Sequence, residues 1–301
     1  MRILVIVPVF NRPDLIIHAL ASVAAQSRPP DAVVVVDDGS TDATASTVAS
    51  WIEAHPDLPA QMIQSANMGA SAARNLGLAR MGQGMDLVAF LDSDDLWPAD
   101  FLARGCLALQ SRPDAAAAST DREFRWQHEA RRRHDSLASI TANPWQWMIV
   151  RDAGIGSCTL FRLTAVHAAG GYPEDIPTGH DSVLFGRIAA HGPWLHLPGA
   201  PTIFLRSSSH GHHLYQKYPD HLVWWAKSTH RVWLEAPAGV HFDFEGRKSL
   251  ARRWHAAARS ALRRGECQQA RFCIKNAIRL RPWATKHWSL WLRTFAFGRS
   301  R

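Results

Sequence analysis

Two stretches of the chain are aliphatic almost without interruption: Ile3-Leu4-Val5-Ile6-Val7, running on through Pro8 to Val9, and Ala32-Val33-Val34-Val35-Val36. A strand with one wet face alternates apolar and polar residues; strands lacking that alternation are covered on both faces, as the central strands of an α/β sheet are. Leu15 to Gln26 lies between the two runs and carries helical spacing. Strand, helix, strand at this spacing is a βαβ unit, with a right-handed crossover and parallel strands. The expected fold class is α/β, with a largely parallel central sheet flanked by helices.

The alternation continues. A helix is expected from Thr41 to His55 with Ser40 and Thr41 as caps, a short strand at Met62-Ile63-Gln64, a helix from Ala70 to Arg80, and a strand over Leu87 to Leu91. Pro98 opens a further helix to about Gln110. Three of the strands end in polar or acidic residues, and ligands of open α/β sheets sit at the carboxyl ends of strands. These segments are therefore expected to line one crevice.

From Ala115 to about His213 the pattern loosens, with amphipathic order returning around Phe161 to Tyr172 and in a helix over Ser182 to His191. Arg122, Arg125, Arg131, Arg132 and Arg133 follow no clean period, and a solvated loop or hairpin is expected there rather than a specific anion site. Beyond residue 215 the chain changes character. Leu250, Trp254, Ala257 and Ala261 recur at helical spacing, as do Ala270, Cys273, Ala277 and Leu280, and then Trp288, Trp291 and Phe295 after Pro282. This is a helical hairpin plus a third helix, either a cap on the preceding domain or a pair similar to a tetratricopeptide repeat. The expected division is a catalytic domain over 1–215, with a nucleotide-binding half to about 115 and an acceptor half over 116–215, followed by a basic helical extension over 216–301.

The formal charge of +8 is concentrated in that extension: Arg247 to Arg301 holds fifteen Lys or Arg against one acid, Glu266. With Trp254, Trp283, Trp288 and Trp291 among them, these residues fit peripheral contact with an anionic membrane, or packing on the catalytic domain behind a solvated basic face. No nucleic-acid reading module is recognised, so nucleic acid is not an expected partner. The N-terminus reads as a buried strand and not as a signal peptide, and no apolar run reaches the roughly 20 residues of a membrane span. The expected location is cytoplasmic, on the inner face of the cell membrane where the tail makes contact. Cys106, Cys158, Cys267 and Cys273 show no C-x-x-C spacing and read as free thiols.

Several polar residues are candidates for chemistry. Asp92-Ser93-Asp94 follows a buried strand; if the strand runs through Asp92, both carboxylates point to one side and offer the oxygen ligands that Mg2+ or Mn2+ prefers, with capping of the next helix as the alternative. Asp37 and Asp38 end the second run, before Gly39, and either cap a helix or accept from a donor edge. Asn67-Met68-Gly69 precedes a small-residue helix start at which N–H groups and Arg74 can meet phosphate, or which packs closely. Asp181 is a helix cap or a general base, and His180 beside it is the conventional base by reference pKa.

The series Val5-Ile6-Val7-Pro8-Val9-Phe10-Asn11, Val36-Asp37-Asp38-Gly39-Ser40-Thr41-Asp42, Asn67-Met68-Gly69 with Ala73-Arg74-Asn75, and Phe90-Leu91-Asp92-Ser93-Asp94-Asp95 resembles the family 2 glycosyltransferases of GT-A fold. Phe161-Arg162, Gly170-Gly171-Tyr172-Pro173-Glu174 and His180-Asp181 extend the resemblance to roughly residue 205. It implies an inverting transferase that takes a nucleotide-sugar donor, UDP-sugar favoured, to a glycan or lipid-linked acceptor in envelope polysaccharide synthesis. By the same resemblance Pro8 and Phe10 line the nucleoside pocket, Asp38 faces the base, and Asn67, Gly69 and Arg74 sit beside the nucleotide. Asp92 lies near the ribose, Asp94 binds Mn2+ or Mg2+ at the diphosphate, and Asp181 is the base. His180 stands where the family commonly has Glu. The Q-x-x-R-W element and membrane helices of the polymerising members are missing from their expected places, which disfavours processive export. A sugar nucleotidyltransferase is the alternative enzyme, but Val9-Phe10-Asn11-Arg12-Pro13 lacks its glycine-rich phosphate loop; a non-catalytic nucleotide-sugar-binding scaffold is the alternative outside enzymes.

Overall fold

The first aliphatic run forms β1 (Ile3–Val9) and the second β2 (Ala32–Asp37), and every residue of both is buried. They pair in parallel, Val5 opposite Val33 and Val7 opposite Val35, with α1 (Pro13–Ala24) crossing between them. α2 (Thr44–Glu53), β3 (Ala60–Gln64), α3 (Ala70–Met81) and β4 (Leu87–Phe90) continue the winding. The computed structural model describes residues 1–126, 129–151, 154–206, 218–237 and 244–296.

The order β3-β2-β1-β4 is the parallel sheet expected from sequence. Beyond β4 the sheet becomes mixed. β5 (Asp95–Leu96) and α4 (Phe101–Ser111) lead into β6 (Ala117–Trp126), β7 (Arg132–Asp135), β8 (Thr159–Arg162) and β9 (Trp194–Arg206). β8 runs antiparallel to β4 and β6, β9 runs parallel to β6, and β5 and β7 are antiparallel additions to β9 and β6. The complete order is β3-β2-β1-β4-β8-β6-β9-β5, with β7 on β6. The expected α/β class with a helical extension is the observed one. The arginine-rich segment is a hairpin, β6 with β7, as one of the sequence readings had it.

The remaining helices are α5 (Pro144–Val150), α6 (Leu163–Ala168), α7 (His180–Ile188), α8 (His221–Glu235), α9 (Phe244–Arg263), α10 (Cys267–Leu280) and α11 (Thr285–Ala296). The chain divides into two compact units. One, the sheet unit, comprises residues 1–144, 154–174 and 187–209 and holds all nine strands; the other, the helical unit, comprises 145–153, 175–186 and 210–301.

The core of the sheet unit is the inner face of α1, α2 and α4 against β1, β2 and β4: Ile16, Leu20, Val48, Phe101 and Leu109 over Val5, Val7, Val35 and Ala89, nearly all fully buried. At about 25 cal/mol per Å2 of apolar surface removed from water, a side chain such as Phe101 contributes roughly 1.5–3 kcal/mol. In the helical unit the seam expected from sequence is present: Leu250, Ala257 and Ala261 of α9 and Ala270, Cys273 and Ala277 of α10 have no exposed surface. Alanines there let the helices approach closely. Trp254, a candidate for membrane contact, is instead 2% exposed and stacks edge-on against Phe272 and His230. Trp283 and Trp288 do project outward. Among the described residues no helix is long and apolar enough to cross a membrane. All four cysteines are free; burial pushes the Cys158 and Cys273 thiols up to about 12.

Candidate active site

Three loops meet at the carboxyl ends of β1, β2 and β3. Asn11 is the one described non-glycine residue with positive φ, 52°, a conformation that asparagine tolerates better than most residues. It is held there from the β2 side. Its backbone N–H donates to Ser40 Oγ (2.9 Å), its Oδ1 accepts from Thr41 N (2.8 Å), and the next amide, Arg12 N, donates to Thr44 Oγ1 (2.8 Å). Ser40 and Thr41 therefore tie the β1 and β2 loops together instead of capping α2, which begins at Thr44 with Asp42 Oδ1 accepting from its amide. Gly39, at φ 77°, lies against the third loop so closely that a Cβ would stand 2.9 Å from Asn67 N.

Pro8 is buried in the middle of the sheet, where a missing N–H normally breaks a ladder. The reason it fits is the end of β4. Ile6 O still accepts from Leu91 N, but Phe90 is the last β4 residue paired with β1, so nothing is left opposite Pro8 on that side. Phe10, just past the end of β1, is half-buried.

Asp37 and Asp38 are 1% and 5% exposed. Asp37 Oδ1 accepts from Ser40 N (3.1 Å). Asp38 reaches across to the third loop: Oδ1 accepts from Met68 N (2.8 Å) and Ser65 Oγ (3.1 Å), and Oδ2 from Gly69 N (2.8 Å). Its carboxylate thus fixes the loop ahead of α3. Asn67 is exposed on that loop, and Gly69, at φ 95°, starts α3 with open space where a Cβ would stand. Arg74, one turn into α3, is 6% exposed; its Nη2 meets Asp92 Oδ1 at 2.5 Å and its guanidinium lies 5.0 Å from the Tyr172 ring.

The acidic segment departs from the sequence expectation in its backbone. β4 stops at Phe90, and Asp92 to Asp95 is a turn closed by Asp95 N donating to Asp92 O (3.0 Å). A turn, rather than the pleat of a strand, gathers the carboxylates: one oxygen from each of Asp92, Asp94 and Asp95 lies within 4.8 Å of the other two. Asp95 completes the cluster and was not singled out from sequence. It is 2% exposed, and its Oδ1 has no hydrogen-bond partner among the described residues. Burial first, then the charges of Asp94 and Asp92, push its carboxyl well above the usual range, against the Ser157 hydroxyl and the Arg206 charge. Sequence also missed Arg12, whose Nη1 sits 2.6 Å from Asp94 Oδ2. The only signal was its place beside Pro13, the first residue of α1.

Three crowded carboxylates with an unfilled buried oxygen could coordinate a hard divalent cation, and Mg2+ and Mn2+ take such oxygens. Arg12 and Arg74 balance part of the charge.

Asp181 belongs to the helical unit. It lies in the first turn of α7, with its side chain 30% exposed and His180 Nε2 3.7 Å from its Oδ1; His180 itself is nearly buried. An acid in the first turn of a helix is favoured by the helix dipole whatever else it does.

The profile of Glycosyl transferase family 2 matches residues 4–168, more than half of the chain, and the protein belongs to that family. Among curated relatives, succinoglycan biosynthesis protein ExoW of Rhizobium meliloti is 36% identical over 102 residues, covering 34% of this chain and 32% of its own. The chain spans between 31% and 42% of the length of the first curated relatives it matches. Among solved structures, S. aureus TarS 1-349 in complex with UDP-GlcNAc superposes with a TM-score of 0.71 at 17% identity, over 98% of this chain and 89% of that one. The mannosyltransferase PcManGT from Pyrobaculum calidifontis, in complex with GDP-Man and Mn2+, gives 0.57 at 24% identity over 98% and 86%. At these identities the structural likeness establishes the fold, GT-A.

Proposed function

We propose that this protein is an inverting glycosyltransferase that moves a sugar from a nucleoside-diphosphate donor, UDP-sugar favoured, to a hydroxyl of a glycan or lipid-linked acceptor. The observation that carries the reading is the Asp92–Asp94–Asp95 cluster at the end of β4, with a bare buried oxygen on Asp95 and the β1, β2 and β3 loops beside it. Family membership and the fold support it; TarS was solved with UDP-GlcNAc and PcManGT with a sugar nucleotide and Mn2+.

In this reading Pro8, Phe10 and Asp38 take the nucleoside, and Asn67, Gly69 and Arg74 lie along the nucleotide. Asp94 and Asp92, with Asp95, would hold Mn2+ or Mg2+, which when bound stabilises the charge that builds on the departing diphosphate. Asp181 removes the acceptor's proton as the oxygen attacks the anomeric carbon from the face opposite the diphosphate, so configuration inverts. Arg12 and Arg74, already paired with Asp94 and Asp92, hold those carboxylates in place and keep the site near neutrality before the donor arrives. We place the catalytic work in residues 1–215 and read the basic extension over 216–301 as a peripheral contact with anionic membrane, on the cytoplasmic face, in envelope polysaccharide synthesis. The named role of ExoW in succinoglycan biosynthesis supports that context.

A panel of nucleotide sugars tests the reading, assayed by released nucleoside diphosphate with and without Mn2+. One donor turns over in a cation-dependent way, and Asp94→Asn lowers that turnover by about 10^2–10^3, the scale of removing one electrostatic stabiliser of a transition state. Turnover of no donor, or full activity in Asp94→Asn, overturns it.

A further inference from the structure

The β6–β7 hairpin carries a second charged feature, opposite in sign to the acid cluster and on the same face of the sheet. Paired residues of neighbouring strands project to one side. The register makes a single row across four strands: Asp95 of β5 opposite Phe204 of β9, Phe204 beside Phe124 of β6, and Phe124 opposite Arg133 of β7. The next row on that face pairs Arg206 with Trp126, whose backbone N–H donates to Arg131 O.

Along these rows the acid end gives way to an aromatic floor under guanidinium groups. Phe204 and Phe124 are 4% and 5% exposed, with ring centroids 5.5 Å apart. Three guanidinium carbons surround the Phe124 ring, Arg133 at 4.2 Å, Arg206 at 4.9 Å and Arg122 at 5.1 Å, and Arg131 lies 4.3 Å from the Trp126 ring. Arg122 is satisfied by Asp135 at 2.8 Å. Among the described residues no carboxylate lies within salt-bridge distance of Arg131, Arg133 or Arg206, although Arg206 does contribute its field at Asp95. The nearby acids are otherwise engaged or elsewhere: Glu123, on the opposite face, with Arg125, Asp121 with His196, and Glu129 exposed after β6. Stacking fixes the planes of these cations but leaves their mutual repulsion, and cation–π contacts at exposed sites are worth only about 0.5–1 kcal/mol each. A multivalent anion would relieve that repulsion with charge-assisted, bidentate contacts.

We infer that this face of β9, β6 and β7 binds the oxyanion groups, phosphate or carboxylate, of an anionic acceptor glycan. The inference rests on the proposed transfer reaction, which puts the donor at the acid cluster and so requires its acceptor to approach from beside it. Arg133 is three strand spacings from Asp95, roughly 14 Å, too far to serve the donor's own diphosphate at the cluster. A lipid surface fits less well, because none of the large apolar side chains exposed in the described structure belongs to β6, β7 or β9.

The test uses the full chain and the double variant Arg131→Ala/Arg133→Ala, titrated calorimetrically with short-chain inorganic polyphosphate, with oligogalacturonate and with neutral dextran. The wild type binds one or both anions, more weakly as salt rises, and ignores dextran. The alanine variant binds at least about tenfold more weakly, the least expected from losing two charge-assisted contacts, while UDP and Mn2+ binding is unchanged. The Arg131→Lys/Arg133→Lys variant falls between, keeping charge without the planar fork. Unaltered anion binding in the alanine variant overturns the inference, as does a parallel loss of UDP binding, or a loss seen with phosphatidylglycerol vesicles but with neither soluble anion. A chain that binds these anions through the two arginines yet turns over no donor supports the anion site and sinks the transferase reading alone.

Discussion

The sheet unit and the helical unit treat charge in opposite ways. In the sheet unit ionisable side chains are driven inside: Asp37, Asp38, Arg74, Asp95 and Arg122 are all under 7% exposed. Each unpaired buried charge costs several kcal/mol, so Asp37 and Asp38 accept from backbone amides, Arg74 pairs with Asp92 and Arg122 with Asp135, while Asp95 Oδ1 is left without a hydrogen-bond partner among the described residues. In the helical unit the interior holds alanine, leucine and tryptophan with small or neutral polar groups such as Ser228, Thr229 and Asn276, and most cations face outward. Arg253 is the exception: it donates to Thr229 Oγ1 and the carbonyl of Arg151. Charge held inside against its solvation preference marks a site shaped for chemistry, whereas charge left outside marks a surface shaped for solvent or a partner.

Asp181 is where that contrast is easiest to break, because it puts the proposed proton acceptor on the helical unit. Asp181→Asn should lower sugar transfer by about 10^2–10^4, the range for loss of a general base, with UDP and Mn2+ binding by the sheet unit left close to wild type. Transfer rates near wild type in Asp181→Asn would return this residue to the role of a first-turn acid and confine the chemistry to the sheet unit.

The outward surface of the helical unit gives the next effect in size. Trp283 and Leu292 are 65% and 68% exposed, Trp288 and Phe295 nearly half, beside Lys286 and Arg293 of α11 and Arg271 and Lys275 of α10. Burying one such apolar side chain in an interface yields roughly 1.5–3 kcal/mol. Trp283→Ser with Leu292→Ser should therefore weaken binding to phosphatidylglycerol vesicles by about a hundredfold, and added salt should weaken it further in both proteins. Equal binding to neutral vesicles, or none to anionic ones by the wild type, would leave the basic extension as a solvated face.

How far the sequence foretold each unit follows from the range of the interactions. β1 and β2 were legible because burial on both faces leaves unbroken aliphatic runs, and the α9–α10 seam because helical contacts repeat every three or four residues. The mixed half of the sheet was not. β6 alternates after Thr120 and pairs with β9 some 77 residues on, Ala117 with Trp194, a distance that no local pattern encodes. In the site, Asp92 and Asp94 stood out as a spaced acidic pair, but Asp95 was hidden by the assumption that the strand continued. Arg12 was hidden because its partner, Asp94, lies 82 residues away.

The smallest effect expected concerns a half-buried pair of histidines in the helical unit. His255 on α9 and His287 on α11 share an Nδ1···Nδ1 hydrogen bond of 2.9 Å, so one ring donates and the other accepts, and the accepting ring is neutral. Burial, then the neighbouring His255, Lys286 and Arg281, lowers His287 from 6.5 to about 4; burial, Lys286 and Arg259 lower His255 as well. Because the unfolded chain takes up these protons more readily than the folded one, the pair's contribution is complete above about pH 6.5 and is lost as pH falls through the window towards 4. Thermal melts from pH 7.5 to 4.5 should show a steeper fall in Tm for the wild type than for His287→Gln, which cannot take up the proton. Carboxylates of the sheet unit titrate alike in both proteins and drop out of the difference, so parallel curves would mean that acid reaches this molecule through the sheet unit's buried charges and leaves the helical unit's histidines untouched.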